Sequence, residues 1–185
     1  MTAGGRRLPV VCDDAGPGTP PAFQRIAIIG LGAVGGSLAM AARRAWPHAL
    51  VIGVDAHDAV ETAIRLHAID VGGDDLVLAG EADLVVLAGG AEANADVLPY
   101  LDAAVPGDAV VLVLGSRPEV QPAALLPARL PVVAAVPAVH VQGRGIRAAD
   151  ADLFRGRPWT MTPVTAGPDT VRRVQGFLRA IGGAV

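Results

Sequence analysis

Three glycines and one aspartate are spaced for nucleotide chemistry. The apolar run Ile26-Ala27-Ile28-Ile29 leads directly into Gly30-Leu31-Gly32-Ala33-Val34-Gly35. A glycine turn of this spacing, between a strand and a helix, suits the pyrophosphate of a dinucleotide. Gly30 permits the tight turn, Gly32 lets the backbone approach the pyrophosphate, and Gly35 lets the helix pack on the strand. Free amides and a partial positive charge at the helix start face the phosphates. Asp55 follows Gly35 by 20 residues and closes a second apolar run, Val51-Ile52-Gly53-Val54. A carboxylate there hydrogen-bonds both ribose hydroxyls of NAD and repels the 2′-phosphate of NADP. The next residues, Ala56 and His57, include no Arg to receive such a phosphate. The pattern points to NAD, preferred over NADP. The candidate cofactor residues are Gly30, Leu31, Gly32, Ala33, Val34, Gly35 and Asp55, joined by Ala88 and Gly89 at the end of a later apolar run. The alternative is a glycine-rich turn with a helix-capping Asp that holds no ligand.

The elements that must position these residues follow from alternation along the chain. Apolar runs predict strands at Arg25–Ile29, Leu50–Val54, Asp83–Ala88, Ala109–Leu114 and Val132–Val136, with weaker ones near Ile69–Val71 and at Trp159–Thr162. Helical patterns fit Gly35–Ala45, Ala59–His67, Ala93–Asp102, Glu119–Leu126 and Pro168–Ile181. Strand-helix alternation is the signature of βαβ units, so the expected fold is α/β, a doubly wound and mostly parallel sheet of the Rossmann type. Pro168 suits a first helical turn, where its missing N–H would lack a partner anyway. Residues 1–22 are rich in Gly and Pro without apolar period and are expected to form a disordered tail, with order starting at Gln24.

Composition bounds the function. The chain has 185 residues and is 52% hydrophobic, yet only 3% is aromatic. Ala, Val, Leu and Ile must therefore build the core, as in buried parallel strands. The length suits one domain. A net charge of -3 without a basic cluster gives no support for nucleic acid as a partner. The single cysteine, Cys12, excludes an internal disulfide and a Cys-rich zinc site, and no metal is expected. No apolar run approaches the roughly 18 residues of a membrane span. Asp13, Asp14 and nearby prolines stand where a signal peptide needs apolar residues. A cytoplasmic protein without a membrane partner is the expectation.

A later stretch is more specific. Gly145-Ile146-Arg147-Ala148-Ala149-Asp150-Ala151-Asp152-Leu153-Phe154-Arg155-Gly156-Arg157-Pro158-Trp159-Thr160-Met161-Thr162-Pro163 closely resembles the segment after the sixth strand of prephenate and arogenate dehydrogenases. Gly30 to Ala39 and Ala82 to Ala88 also look like that family. The resemblance runs from about Arg25 to Val185. It implies an NAD-linked oxidoreductase of tyrosine biosynthesis, acting by oxidative decarboxylation of prephenate or arogenate. Leu153, Phe154 and Trp159 equally fit a purely structural role, anchoring a turn and an edge strand to the core.

The sequence departs from that family where the chemistry should lie. The family's sixth strand ends in a His-Pro-x-x-Gly pattern whose histidine takes the substrate proton. Aligned through Pro137 and Gly145, that histidine is Val136 here, which can neither accept nor donate a proton. The family's acidic residue and lysine beyond it are matched by Gln142 and Gly143. Ser116 survives from the fifth-strand pattern, where the resemblance places it near the nicotinamide; it serves equally well as a helix cap before Glu119. His140 becomes the base only with a shifted alignment. His48, His57 and His67 fall in a turn, by the adenosine end and at a helix end.

The expected organisation is a tail over 1–22 and a dinucleotide-binding domain over 23–185, without the family's C-terminal helical domain. That domain dimerises and supplies much of the substrate site, so a partner chain would have to complete it. Three readings stay open: a prephenate-type dehydrogenase impaired or incomplete as a catalyst, an inactive NAD(H)-binding sensor or regulatory module, and a gene remnant.

Overall fold

The computed structural model describes residues 22–105, 107–115, 126–127 and 129–185. Seven strands form one sheet: β1 (Arg25–Ile29), β2 (Leu50–Val54), β3 (Val71–Gly73), β4 (Leu84–Leu87), β5 (Val110–Leu114), β6 (Val132–Pro137) and β7 (Trp159–Pro163). Their order is β3-β2-β1-β4-β5-β6-β7, parallel except for β7, which pairs antiparallel with β6. The expected doubly wound α/β fold is therefore present. The helices are α1 (Ala33–Ala45), α2 (His57–Arg65), α3 (Ala91–Val97), α4 (Leu101–Ala104) and α5 (Pro168–Ala180).

Alternation along the strands divides the core into two layers. Ile26 and Ile28 of β1, Leu84 and Val86 of β4, and Leu112 and Leu114 of β5 pack beneath α1, α2 and α5. Ala27, Val85, Leu87, Val111 and Val113 face the other way, against Ala79, Leu98 and Leu101. Successive residues of a strand point to opposite faces, so continuously apolar strands need cover on both sides. The first layer holds nearly all the aromatic residues. Trp46 stacks on Phe177 at 5.3 Å between ring centroids, Phe23 meets Phe177 edge-on at 5.9 Å, and Phe154 lies 5.1 Å from Trp159. Arg173 caps the Phe23 ring at 4.5 Å.

Several elements differ from the sequence reading. β3 was expected at Ile69–Val71 and lies at Val71–Gly73, because Ile69 turns into the core instead of pairing. The helix expected over Ala93–Asp102 begins at Ala91 and breaks into α3, a 3-10 turn at Leu98–Tyr100 and α4. Pro99 is the reason, since it lacks the N–H that an unbroken helix would use there. Additional 3-10 turns occupy Leu76–Glu81 and Ile146–Ala148. Phe23 is already buried, and the Ala22 carbonyl accepts from Arg173, so the packed chain starts before Gln24. The expected Glu119–Leu126 helix and the 1–21 part of the tail fall outside the described residues, save for Leu126.

Candidate nucleotide site

The strand order reverses direction between β1 and β4, and a crevice opens there at the carboxyl ends of the strands. The cleft has a volume of about 480 Å³. Along its walls Ile29 ends β1 and Gly30 follows, Val54 ends β2 and Asp55 follows, and Ala88 and Gly89 come after β4.

The glycine turn is held by contacts that a side chain would break. Gly30 has φ +96°, and a Cβ there would lie 2.5 Å from the Gly89 nitrogen. A Cβ on Gly35 would lie 2.0 Å from the Gly30 carbonyl oxygen and 3.1 Å from the Ala88 methyl. Gly32 differs, since a Cβ there would meet nothing within 4 Å. Gly32 thus faces open space at the cleft and caps α1, its carbonyl accepting from Gly36 at 2.8 Å. By helix geometry, the amides of Ala33, Val34 and Gly35 then lack intrahelical acceptors. The first turn of α1 carries no acidic residue to oppose an anion.

Asp55 is fixed at the rim. One carboxylate oxygen accepts the Leu31 amide at 2.6 Å and the other accepts the Ala56 amide at 2.7 Å. The Asp55 amide in turn donates to the Gly73 carbonyl at 3.1 Å, extending the β2–β3 ladder by one step. The side chain is half-buried and lines the cleft. Leu31 itself is buried beneath the turn, so its contribution is the amide.

Two residues of this site escaped the sequence reading. Asp74 lines the cleft beside Asp55 because β3 ends at Gly73, and the placement of β3 two residues too early hid it. Asn94 is 1% exposed and ties the ends of β4 and β5 together. A polar residue near the start of a helix reads as solvated, and no sequence signal marks it as buried.

Val136 and His140 do not line this cleft. Val136 stands near the end of β6, opposite Thr160 of β7, and its side chain is 38% exposed. His140, Gln142 and Gly143 lie on the exposed loop beyond β6. His140 makes no hydrogen bond or ion pair with any described residue. Ser116 falls outside the described residues. No group of His, Cys, Asp or Glu among the described residues could hold a metal ion, and no described helix is long and apolar enough to cross a membrane.

The family model described as prephenate dehydrogenase, nucleotide-binding domain, matches residues 38–185. The chain belongs to this family. The match starts after Gly35, so the glycine turn is a separate observation that agrees with it. Among solved structures, prephenate dehydrogenase from Aquifex aeolicus superposes with a TM-score of 0.79 at 23% identity, covering 88% of this chain and 60% of that one. The same enzyme in complex with hydroxyphenyl propionate and NAD+ gives a TM-score of 0.77 at 23% identity, with 88% and 58% covered. Synechocystis arogenate dehydrogenase gives 0.76 at 25% identity, with 86% and 58% covered. The chain thus spans about three-fifths of the length of these solved relatives. No curated protein matches it in sequence.

As a prephenate dehydrogenase nucleotide-binding domain, the chain has residues that fit a dinucleotide. Open space above Gly32, forward-facing amides of α1 and an anchored carboxylate at the β2 end are the three features such a ligand needs.

Proposed function

We propose that this domain binds NAD(H) in preference to NADP(H), as the nucleotide half of a prephenate- or arogenate-type dehydrogenase of tyrosine biosynthesis. The observation that carries the reading is the Asp55 carboxylate, held by the Leu31 and Ala56 amides at the rim of the cleft. Those bonds orient it toward the position of the adenosine ribose when the pyrophosphate sits on α1. Gly30, Gly32 and the amides of Ala33, Val34 and Gly35 cradle the phosphates, while Ala88 and Gly89 form the opposite wall. Asp74 adds a second carboxylate at the ribose end, which supports discrimination against a 2′-phosphate. When bound, the nicotinamide supplies a hydride acceptor. This chain's residues bind and orient that group.

A second reading has its own observation. Val136 occupies the place of the family's proton acceptor, and a valine moves no proton. It favours a nucleotide-binding module that does not turn over prephenate or arogenate unaided. Titration calorimetry of the chain with NAD, NADH and NADP tests the first reading. Saturable NADH binding, weaker for NADP, is expected. Equal affinity for both dinucleotides refutes the role given to Asp55, and no binding of either refutes the function.

A further inference from the structure

Asn94 sits where α3 meets the ends of two strands. Its side chain is one of two buried polar ones among the described residues, the other being Ser37. Its amide nitrogen donates to the Leu87 carbonyl at 3.3 Å and to the Leu114 carbonyl at 3.2 Å. Its amide oxygen accepts from the Gly89 N–H at 3.0 Å. Only one orientation of the amide satisfies all three partners, because two carbonyls require the NH₂ end and an N–H requires the oxygen. Leu87 and Leu114 are the last residues of β4 and β5, so the side chain bridges the strands where their ladder ends.

Beyond β4 the chain turns toward the cleft. Gly89 lies against Gly30, whose missing Cβ would stand 2.5 Å from the Gly89 nitrogen. Gly115, with φ +72°, leads out of β5 toward position 116. Asn94 also lines the cleft, beside Ala93 and Val97. A single amide thereby holds the loop that presses on the glycine turn and the exit of the neighbouring strand. Without it the Gly89 N–H would lose its acceptor and the two carbonyls a donor.

We infer that Asn94 is a positioning residue that sets the wall of the cleft opposite the glycine turn by clamping the β4 and β5 exits together. The inference rests on the nucleotide binding proposed above. It goes further in assigning the shape of that wall to one buried amide outside the glycine turn.

The test is Asn94→Asp in the full chain, with NADH affinity followed by fluorescence at pH 6 and pH 8 and folding followed by circular dichroism. A carboxyl group buried against two carbonyl oxygens has its pKa raised, so it is neutral at low pH and ionises as pH rises. The neutral form keeps the acceptor for Gly89 and one donor; the ionised form keeps no donor and faces two carbonyls. The variant's Kd for NADH is expected to weaken by about tenfold or more from pH 6 to pH 8. The wild type should stay flat over that range. A folded variant with lower thermal stability but a wild-type Kd at both values overturns the inference. Hydrogen exchange in the wild type keeps the test open if the variant does not fold. The Gly89 amide should be protected although its loop is exposed, and exchange at the rate of a free loop amide refutes the clamp. Failure of the wild type to bind NADH would instead refute the proposed function, while Gly89 protection still reports on Asn94.

Discussion

The Ser37 hydroxyl accepts the Asp150 amide at 2.8 Å and donates to the Ala33 carbonyl at 2.6 Å, tying α1 to the segment after β6 across 113 residues. Next to it, a Cβ on Gly36 would lie 2.1 Å from the Ile146 Cδ1 and 3.0 Å from the Ala149 methyl. The two stretches with the clearest family resemblance, Gly30 to Ala39 and Gly145 to Pro163, are thus halves of one contact. Their pairing explains why small residues follow the glycine turn, and it places the post-strand segment against the helix that faces the cleft.

Ser37→Ala should destabilise the fold without abolishing nucleotide binding. The change removes the hydroxyl that accepts from the Asp150 amide and leaves that part-buried donor unpaired. The expected cost is about 1–3 kcal/mol, and the Tm should fall by roughly 2–4 °C per kcal/mol for a chain of this size. Calorimetric melting checks it; an unchanged Tm would show that solvent reaches the amide.

Gly36→Ala sets two effects against each other. Helix propensity favours alanine by about 1 kcal/mol, whereas overpacking against Ile146 and Ala149 costs about 1–3 kcal/mol. The clash should win in the wild type. In an Ile146→Ala background the clash with the Cδ1 disappears, and the same substitution should become close to neutral. Urea unfolding of the four variants measures the coupling, expected at about 0.5–3 kcal/mol; additive effects would contradict the packing.

Gly32→Asp and Gly35→Ala should separate binding from folding. A side chain on Gly32 meets open space, so Gly32→Asp should keep a near wild-type Tm and lose NADH binding through its charge and bulk at the pyrophosphate. A side chain on Gly35 strikes the Gly30 carbonyl, so Gly35→Ala should unfold or strongly destabilise the domain. Retained NADH affinity in Gly32→Asp would move the phosphates away from α1.

Asp74→Asn should relax cofactor choice. The substitution removes one of the two carboxylates that line the cleft while leaving Asp55 with its amide partners. Affinity for NADP should rise relative to NAD by a few-fold, most clearly at low salt, where exposed charges are least screened. An unchanged ratio at low salt would assign the discrimination to Asp55 alone.

On catalysis, the 185-residue chain by itself is expected to produce no NADH above background from prephenate or arogenate and NAD. General acid–base help is worth roughly 100- to 10,000-fold, and Val136 supplies none. Val136→His alone should not restore turnover, because Gln142 and Gly143 stand where the family has charged neighbours of its histidine. Absorbance at 340 nm (a wavelength fixed by the reduced nicotinamide) follows the wild type, Val136→His and His140→Ala. Robust wild-type turnover that disappears in His140→Ala would make His140 the base.

Local pattern was enough for much of this molecule. The apolar runs marked β1, β2, β4, β5 and β6 because burial on both faces requires uninterrupted apolar residues, whereas the edge strand β3, Val71-Gly72-Gly73, lacks such a run and was placed two residues early. The glycine turn and Asp55 were legible because a strand, a turn, a helix and a second strand fix their separation along the chain. Tertiary structure decided what lay further apart. Only the insertion of β4 beside β1 brings Ala88 and Gly89 onto Gly30 and Gly35, and only the pairing of β3 with β2 puts Asp74 beside Asp55. Asn94 and Ser37 are polar residues whose burial comes from strand ends and a distant segment closing over them. Their own sequence neighbours say nothing of it, since periodicity records which face of an element is apolar and carries no information about what the other elements bring against it.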